Sequence, residues 1–315
     1  MRRLALIVAG FLCTAMATGL TCRADDAQLT GRTATESITS GTMERTYLTY
    51  TPANLPESAA LLIVLHGSLG TGQKVREQSG GQFDRLADRV KCMVVYPDGH
   101  DKHWNDCRTV PKDKAHELNM DDVGFITALI DTCREKNHIS PDRVYLAGLS
   151  NGGHMCFRLA SEMPDKIRGI AAMGACMPVP SQSKCPAART GVKVMIVNGT
   201  EDPINPFEGG TVRLLWVFSK GEVMSSLESA RSWLRAEDRV RRPDMVMLPD
   251  TDPGDGCTVE RLEWGSSGVR HYIVHGGGHT IPGGTQYLPL FIVGRTCRDF
   301  EIAQEMWAFF EAPSR

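Results

Sequence analysis

Short, continuous apolar runs alternate along this chain with segments whose apolar residues recur at helical spacing. Leu61–Leu65 and Cys92–Tyr96 are runs of the first kind, as is V-Y-L-A-G-L from Val144 to Leu149, and Ile167–Met173 and Val192–Val197 supply two more apolar strands, each with one basic residue. Unbroken apolarity over five or six residues predicts strands buried on both faces, as in a parallel sheet. Thr46–Tyr50, Met245–Leu248, Val259–Trp264 and Val269–Val274 predict further strands. Helical spacing marks Gln82–Val90, Val223–Leu234 and Asp299–Phe310. A longer helix opens at Asp121-Asp122, with carboxylates at its positive end. It carries Val123, Ile126, Leu129, Ile130 and Cys133 on one face and stops before Ser140-Pro141-Asp142. Gly152–Met163 is another helix, halted by Pro164. The segment from Asp25 to Gly41 is polar and rich in Thr and Ser, and predicts a loose lead-in. Pro97 to Met120 is polar, irregular and too long for an idle connection, so it is expected to form surface around a site. Strand and helix alternate nearly throughout, which predicts an α/β fold with a mostly parallel central sheet and helices on both faces.

Length and the first residues set the frame. At 315 residues the chain has room for one large α/β domain, and no repeat, low-complexity linker or appended module interrupts it. Arg2-Arg3 precedes the apolar run Leu4 to Leu12, and small residues continue to Ala24. This is the layout of a signal peptide over residues 1–24, which leaves 25–315 as a single catalytic domain in a secreted or periplasmic protein without a stable membrane anchor. A formal net charge of −2 gives no electrostatic footprint for nucleic acid.

Export changes the meaning of the cysteines. Of ten, Cys13 and Cys22 fall in the leader, and an even set of eight remains for an oxidising compartment. Eight cysteines allow 105 pairings. Cys176 and Cys185, which flank a short loop bounded by prolines, are the pair expected to close, and Cys156 is expected to be buried and reduced. No zinc-ligand spacing occurs. His100-Asp101-Lys102-His103 reads as a solvated loop, and neither metal nor cofactor is called for.

The candidate chemistry begins at the end of the Val144 run. Gly148-Leu149-Ser150-Asn151-Gly152 places a serine on a tight strand-to-helix turn, with glycine two positions to either side where neighbours must approach closely. A serine hydroxyl needs a base to take its proton and a carboxylate to orient that base. The apolar strand Val192–Val197 runs into Asn198-Gly199-Thr200-Glu201-Asp202-Pro203, which puts Asp202 at a strand end, with Glu201 as runner-up. Tyr272-Ile273-Val274 leads into His275-Gly276-Gly277-Gly278-His279. His279, after three glycines, is preferred over His275 as the base. The turn His66-Gly67-Ser68-Leu69-Gly70 ends another strand, so the backbone N–H groups of Ser68 and Asn151 are the expected oxyanion donors, with His66 shaping the loop. Trp104 is a candidate substrate contact, with core packing the alternative. Phe207-Glu208-Gly209-Gly210 onward to Trp216 reads as pocket rim.

Six ordered motifs carry a family resemblance. They are L-H-G-S, Y-P-D-G followed by Trp104, D-D-V-G-F-I, S-P-D-R-V-Y-L-A-G-L-S-N-G-G, N-G-T-E-D-P and G-G-G-H-T-I-P-G-G. From about Arg45 to Phe310 the chain resembles the secreted α/β-hydrolase esterases that include polyhydroxybutyrate depolymerases and feruloyl esterases. The resemblance implies one α/β-hydrolase domain that cleaves carboxylic esters without metal or cofactor, with Ser150, Asp202 and His279 as nucleophile, acid and base. Ile281 stands where such proteins often carry Trp, two residues after that histidine, at the wall expected to hold the acyl group. Small esters, oligoesters and polysaccharide-linked esters are the substrate classes implied. A catalytically silent binding protein and a serine peptidase are the rival readings.

Overall fold

A computed structural model describes residues 29–187, 191–214 and 218–313, so the leader and Trp216 lie outside the described residues. The strands are β1 (Arg32–Ser40), β2 (Met43–Thr51), β3 (Leu61–Leu65), β4 (Met93–Pro97), β5 (Val144–Leu149), β6 (Gly169–Met173) and β7 (Lys193–Gly199). They continue with β8 (Gly210–Leu214), β9 (Phe218–Val223), β10 (Asp244–Met247), β11 (Thr258–Trp264) and β12 (Val269–His275). Ten of them form one sheet in the order β1-β2-β4-β3-β5-β6-β7-β12-β11-β10, and β8 and β9 form a separate hairpin. The six strands from β4 to β12 in that order are parallel to their neighbours. Antiparallel strands flank them at both borders.

The continuous apolar runs are explained by two cores, one on each face. In β3, Leu61, Ile63 and Leu65 enter one cluster while Leu62 and Val64 enter the other. The first cluster packs against α4 (Asp122–Asn137), α5 (Asn151–Glu162) and α6 (Ser226–Ser232) through Phe125, Leu129, Phe157 and Ala230. The second packs against α1 (Gly72–Gln78), α2 (Gln82–Val90) and α8 (Ile302–Glu311) through Val75, Phe83, Leu86, Met306 and Phe310. Short helices α3 (Lys114–Glu117) and α7 (Leu290–Val293) lie in connections. Among the described residues no helix is long and apolar enough to cross a membrane.

Topology then fixes where a site can be. From β3 the chain goes to β4 on one side, and it returns across to β5 on the other. The loops leaving β3 and β5 therefore part at the carboxyl edge, which opens a crevice at the switch in strand order.

Three expectations are corrected. The lead-in is not loose: Arg32–Ser40 is a full strand paired with β2, and its polarity reflects an edge position with most side chains in water. Val223–Leu234 is not one helix. Ser225 caps α6 through a reciprocal pair with Glu228, so the helix starts after it and Val223 ends β9. The disulfide joins Cys107 to Cys185, with Cα atoms 5.0 Å apart, and not Cys176 to Cys185. The bridge Arg108↔Ser183 and the Lys184 N–H to Cys107 carbonyl bond bring those two segments together. Cys176 is instead buried beside Asn205, whose Nδ2 donates to its sulfur at 3.1 Å.

The double-core arrangement predicts that Ile63→Ala, fully buried at the sheet centre, costs about 2–5 kcal/mol. Met245→Ala on the exposed border is expected to stay within about 0.5 kcal/mol of the parent. Urea midpoints at constant slope check both.

Candidate active site

Close backbone packing forces the turn after β5 into shape. A Cβ on Gly148 would lie 2.3 Å from the Gly152 carbonyl oxygen, and one on Gly152 would lie 2.3 Å from the Leu65 oxygen. No side chain fits at either position. Ser150 between them takes φ 57° and ψ −118°, a strained conformation for a residue with a Cβ. Its N–H donates to the Met173 carbonyl at 2.8 Å and its own carbonyl accepts the His154 N–H, so strand end and helix start hold the strain in place.

Two further loops reach the same edge from β7 and β12. The Asp202 Oδ2 lies 2.7 Å from His279 Nδ1, and both side chains are almost wholly buried. The other oxygen, Oδ1, accepts the N–H groups of Ile204 and Asn205, each at 2.8 Å, which fixes the carboxylate plane. The His279 backbone is fixed as well: its N–H donates to the Val293 carbonyl, and its carbonyl accepts the Tyr287 hydroxyl. The two runner-up residues face elsewhere. Glu201 is exposed and pairs with Arg295, and His275 is half exposed and pairs with Glu260.

A cleft of about 560 Å³ contains both Ser150 and His279, with Gly67, Ser68 and Leu69 along one wall. A Cβ built on Gly67 would sit 3.3 Å from the Ser150 Cβ, so the turn after β3 lies directly against the serine. Leu69 and Gly70 spend their N–H groups on the Lys102 and Gly67 carbonyls. The Asn151 side chain faces away from the cleft into the loop behind it. Its Oδ1 accepts the Trp104 N–H, and its Nδ2 donates to the Trp104 carbonyl and to Asp106.

Trp104 is core, not a substrate contact. It is fully buried, its Nε1 donates to the His66 carbonyl, and its ring stacks on Phe125. Ile281 is likewise buried in the second core and does not line the cleft. Phe207 stacks on His271, and among the described side chains of the expected rim segment Val212 lines the cleft.

The family resemblance is borne out by similarity to known proteins. The profile of the phospholipase/carboxylesterase family of α/β-hydrolases fits residues 54–213, about half of the chain. The chain belongs to this family. A putative esterase, NocK, from Nocardia uniformis subsp. tsuyamanensis is 32% identical over 258 residues, covering 79% of this chain and 73% of that protein. Feruloyl esterase B from Piromyces equi is 25% identical over 71% of this chain, a match that spans only 40% of the longer protein. Among solved structures, an acetyl xylan esterase from Aspergillus awamori superposes with a TM-score of 0.52 at 14% identity, over 79% of this chain and 95% of that one, which shows the α/β-hydrolase fold. The protein is a carboxylic ester hydrolase.

Behind the cleft this carboxylesterase holds a buried polar network that the sequence did not reveal. Asp106 accepts from Arg108, His116 and Asn151. Burial alone would push the Asp106 carboxyl up, but the Arg108 guanidinium and the His116 hydrogen bond outweigh it and hold the group well below the usual carboxylate range. Burial opposes charge on His116 too, yet Asp106 and Asp113 on its two ring nitrogens raise its pKa. The length of the 97–120 loop was the one signal available for these residues.

His66 also has a defined state. Gly99 N–H donates to its Nε2 at 2.9 Å, which leaves the proton on Nδ1, directed at the Gly67 carbonyl 2.7 Å away. Burial lowers its pKa to about 4, and burial lowers that of His271 to about 3. The unfolded chain takes up these protons near pH 6.5 and the folded esterase does so only near those lower values. Stability is therefore present above about pH 6.5 and is lost as pH falls toward 4, by about 1.4 kcal/mol per pH unit for each group. Urea midpoints between pH 7 and 4 are expected to decline, and His66→Gln is expected to flatten the decline.

Proposed function

We propose that the protein is an exported serine esterase working through an acyl-enzyme formed on Ser150. Residues 1–24 are its leader and 25–315 one catalytic domain. The single observation that carries the reading is the 2.7 Å contact between Asp202 and His279 at the edge of a cleft that also contains Ser150. His279 takes the Ser150 proton as the hydroxyl oxygen attacks the ester carbonyl. The negative charge that develops on the substrate oxygen rests on the N–H groups of Ser68 and Asn151. His279 then gives its proton to the departing alcohol. Water enters, loses a proton to the same imidazole and releases the acid. Asp202 fixes the imidazole tautomer throughout and offsets its positive charge.

The cleft favours apolar acyl groups. Leu149, Ile204, Val212, Ile292 and Val293 line it, and Leu69 and Leu288 stand exposed at its margin. Tyr287 is the sole aromatic side chain among the described lining residues, which is a poor platform for a sugar chain. Aliphatic oligoesters of the hydroxybutyrate kind and small aryl esters such as ferulates therefore fit better than acetylated xylan.

Ser150→Ala and His279→Ala are each expected to retain the fold by circular dichroism and to lose turnover of p-nitrophenyl butyrate by about 10⁴-fold or more. A Ser150→Ala variant with full activity overturns the reading. On the parent enzyme, hydroxybutyrate oligomers and methyl ferulate are expected to be cleaved faster than acetylated xylan. Failure of a fluorophosphonate probe to label the parent would favour a silent binding protein instead.

A further inference from the structure

A pair of buried cysteines remains unused by the proposed chemistry. Cys257 precedes β11, and Cys297 lies between α7 and α8. The structure holds both as thiols, with their sulfurs and an Asp255 carboxylate oxygen all within 4.8 Å of one another. Three backbone segments run side by side at this point. Thr258 pairs with His275 at the end of the β11–β12 ladder, Gly277 bridges to Arg295, and the Gly283 N–H donates to the Cys297 carbonyl at 2.8 Å. Glycine permits the approach: a Cβ on Gly276 would lie 2.4 Å from the Gly256 oxygen.

We infer that Cys257 and Cys297 close a second disulfide, which staples the start of β11 to the segment flanking the His279 loop. From 4.8 Å at most, each sulfur moves little more than an ångström to reach a bond of about 2.05 Å, a shift that side-chain rotation supplies. In the closing step two thiols lose two protons and two electrons to a disulfide of the glutathione or dithiol-oxidase class, which leaves as two thiols. The chain already carries one such bond, Cys107–Cys185. The neighbouring carboxylate does not turn the pair toward a metal. Asp255 Oδ1 accepts the Cys257 N–H at 2.7 Å and Oδ2 accepts the Arg298 N–H at 2.5 Å, so both oxygens are engaged by the backbone they position.

The place of the bond gives it a purpose. The Val293 and Arg295 carbonyls accept the N–H groups of His279 and Gly278, so the stretch 293–297 is the rail on which the histidine loop is laid. A bond at Cys297 anchors the far end of that rail to the sheet. The inference concerns covalent structure and stands whether or not Ser150 is the nucleophile.

The test is a peptide map of the full chain refolded in a mixed oxidised and reduced glutathione buffer, with free thiols blocked by iodoacetamide and digestion done without reduction. One cross-linked peptide joining Cys257 to Cys297 is expected beside the one joining Cys107 to Cys185. Alkylation of both Cys257 and Cys297, or either joined to another cysteine, overturns the inference. So does retention of one equivalent of zinc, with both thiols protected, when the chain is refolded with zinc chloride. In a Cys107→Ala/Cys185→Ala background, dithiothreitol is expected to lower Tm by roughly 5–15 °C. An unchanged Tm on reduction there overturns the staple.

Discussion

Backbone against backbone, with no room for a Cβ, is the contact on which this molecule depends. Gly152 lies against the end of β3 and Gly148 against Gly152, so the first turn of α5 packs directly onto the two central strands. That approach holds Ser150 at a positive φ, a conformation that costs about 1–3 kcal/mol by itself. The cost is spread over a sheet whose central strands are buried on both faces, and so the turn cannot relax without opening two cores at once. A rigid frame is what lets three loops from β3, β5 and β12 present their residues to one cleft.

Charge is organised on the opposite principle. Apolar side chains make up most of the cleft wall, Lys74, Glu77, Arg108 and Lys220 line it as well, and Arg108 reaches back to a buried cluster in which Asp106 ties His116 and Asn151 together out of water. Asn151 links the two regions. Its side chain is tied to Trp104 and Asp106, which orients the peptide unit that follows Ser150 without placing a polar side chain in the cleft. A buried network of this kind is costly if only partly satisfied, so the loop from 97 to 120 must close completely once it folds.

Much of this is legible in the sequence, for an identifiable reason. Parallel strands buried on both faces write apolar runs, unbroken in Leu61–Leu65 and Val144–Leu149 and interrupted in Val192–Val197 by Lys193 alone. Residues that follow such runs emerge at the carboxyl edge, so strand-end position together with the chain order of this fold class directs attention to the stretches around Ser68, Ser150 and Asp202. Other features left no local mark. β1 is polar along most of its length because it sits at a border. The partner of Cys185 lies 78 residues away and is selected by tertiary pairing, not by the short loop to Cys176. Trp104 reads the same whether its ring faces substrate or Phe125, since one residue in an irregular segment carries no period.

The two borders of the sheet are chemically unlike. At one, β1 sets Arg, Thr and Ser toward water, side chains that discourage an incoming strand. At the other, β10 leaves Met245, Val246 and Met247 exposed beside its outer row of backbone groups. The Met-Val-Met selvage thus leaves this border without the charged or polar side chains that blunt an open strand edge.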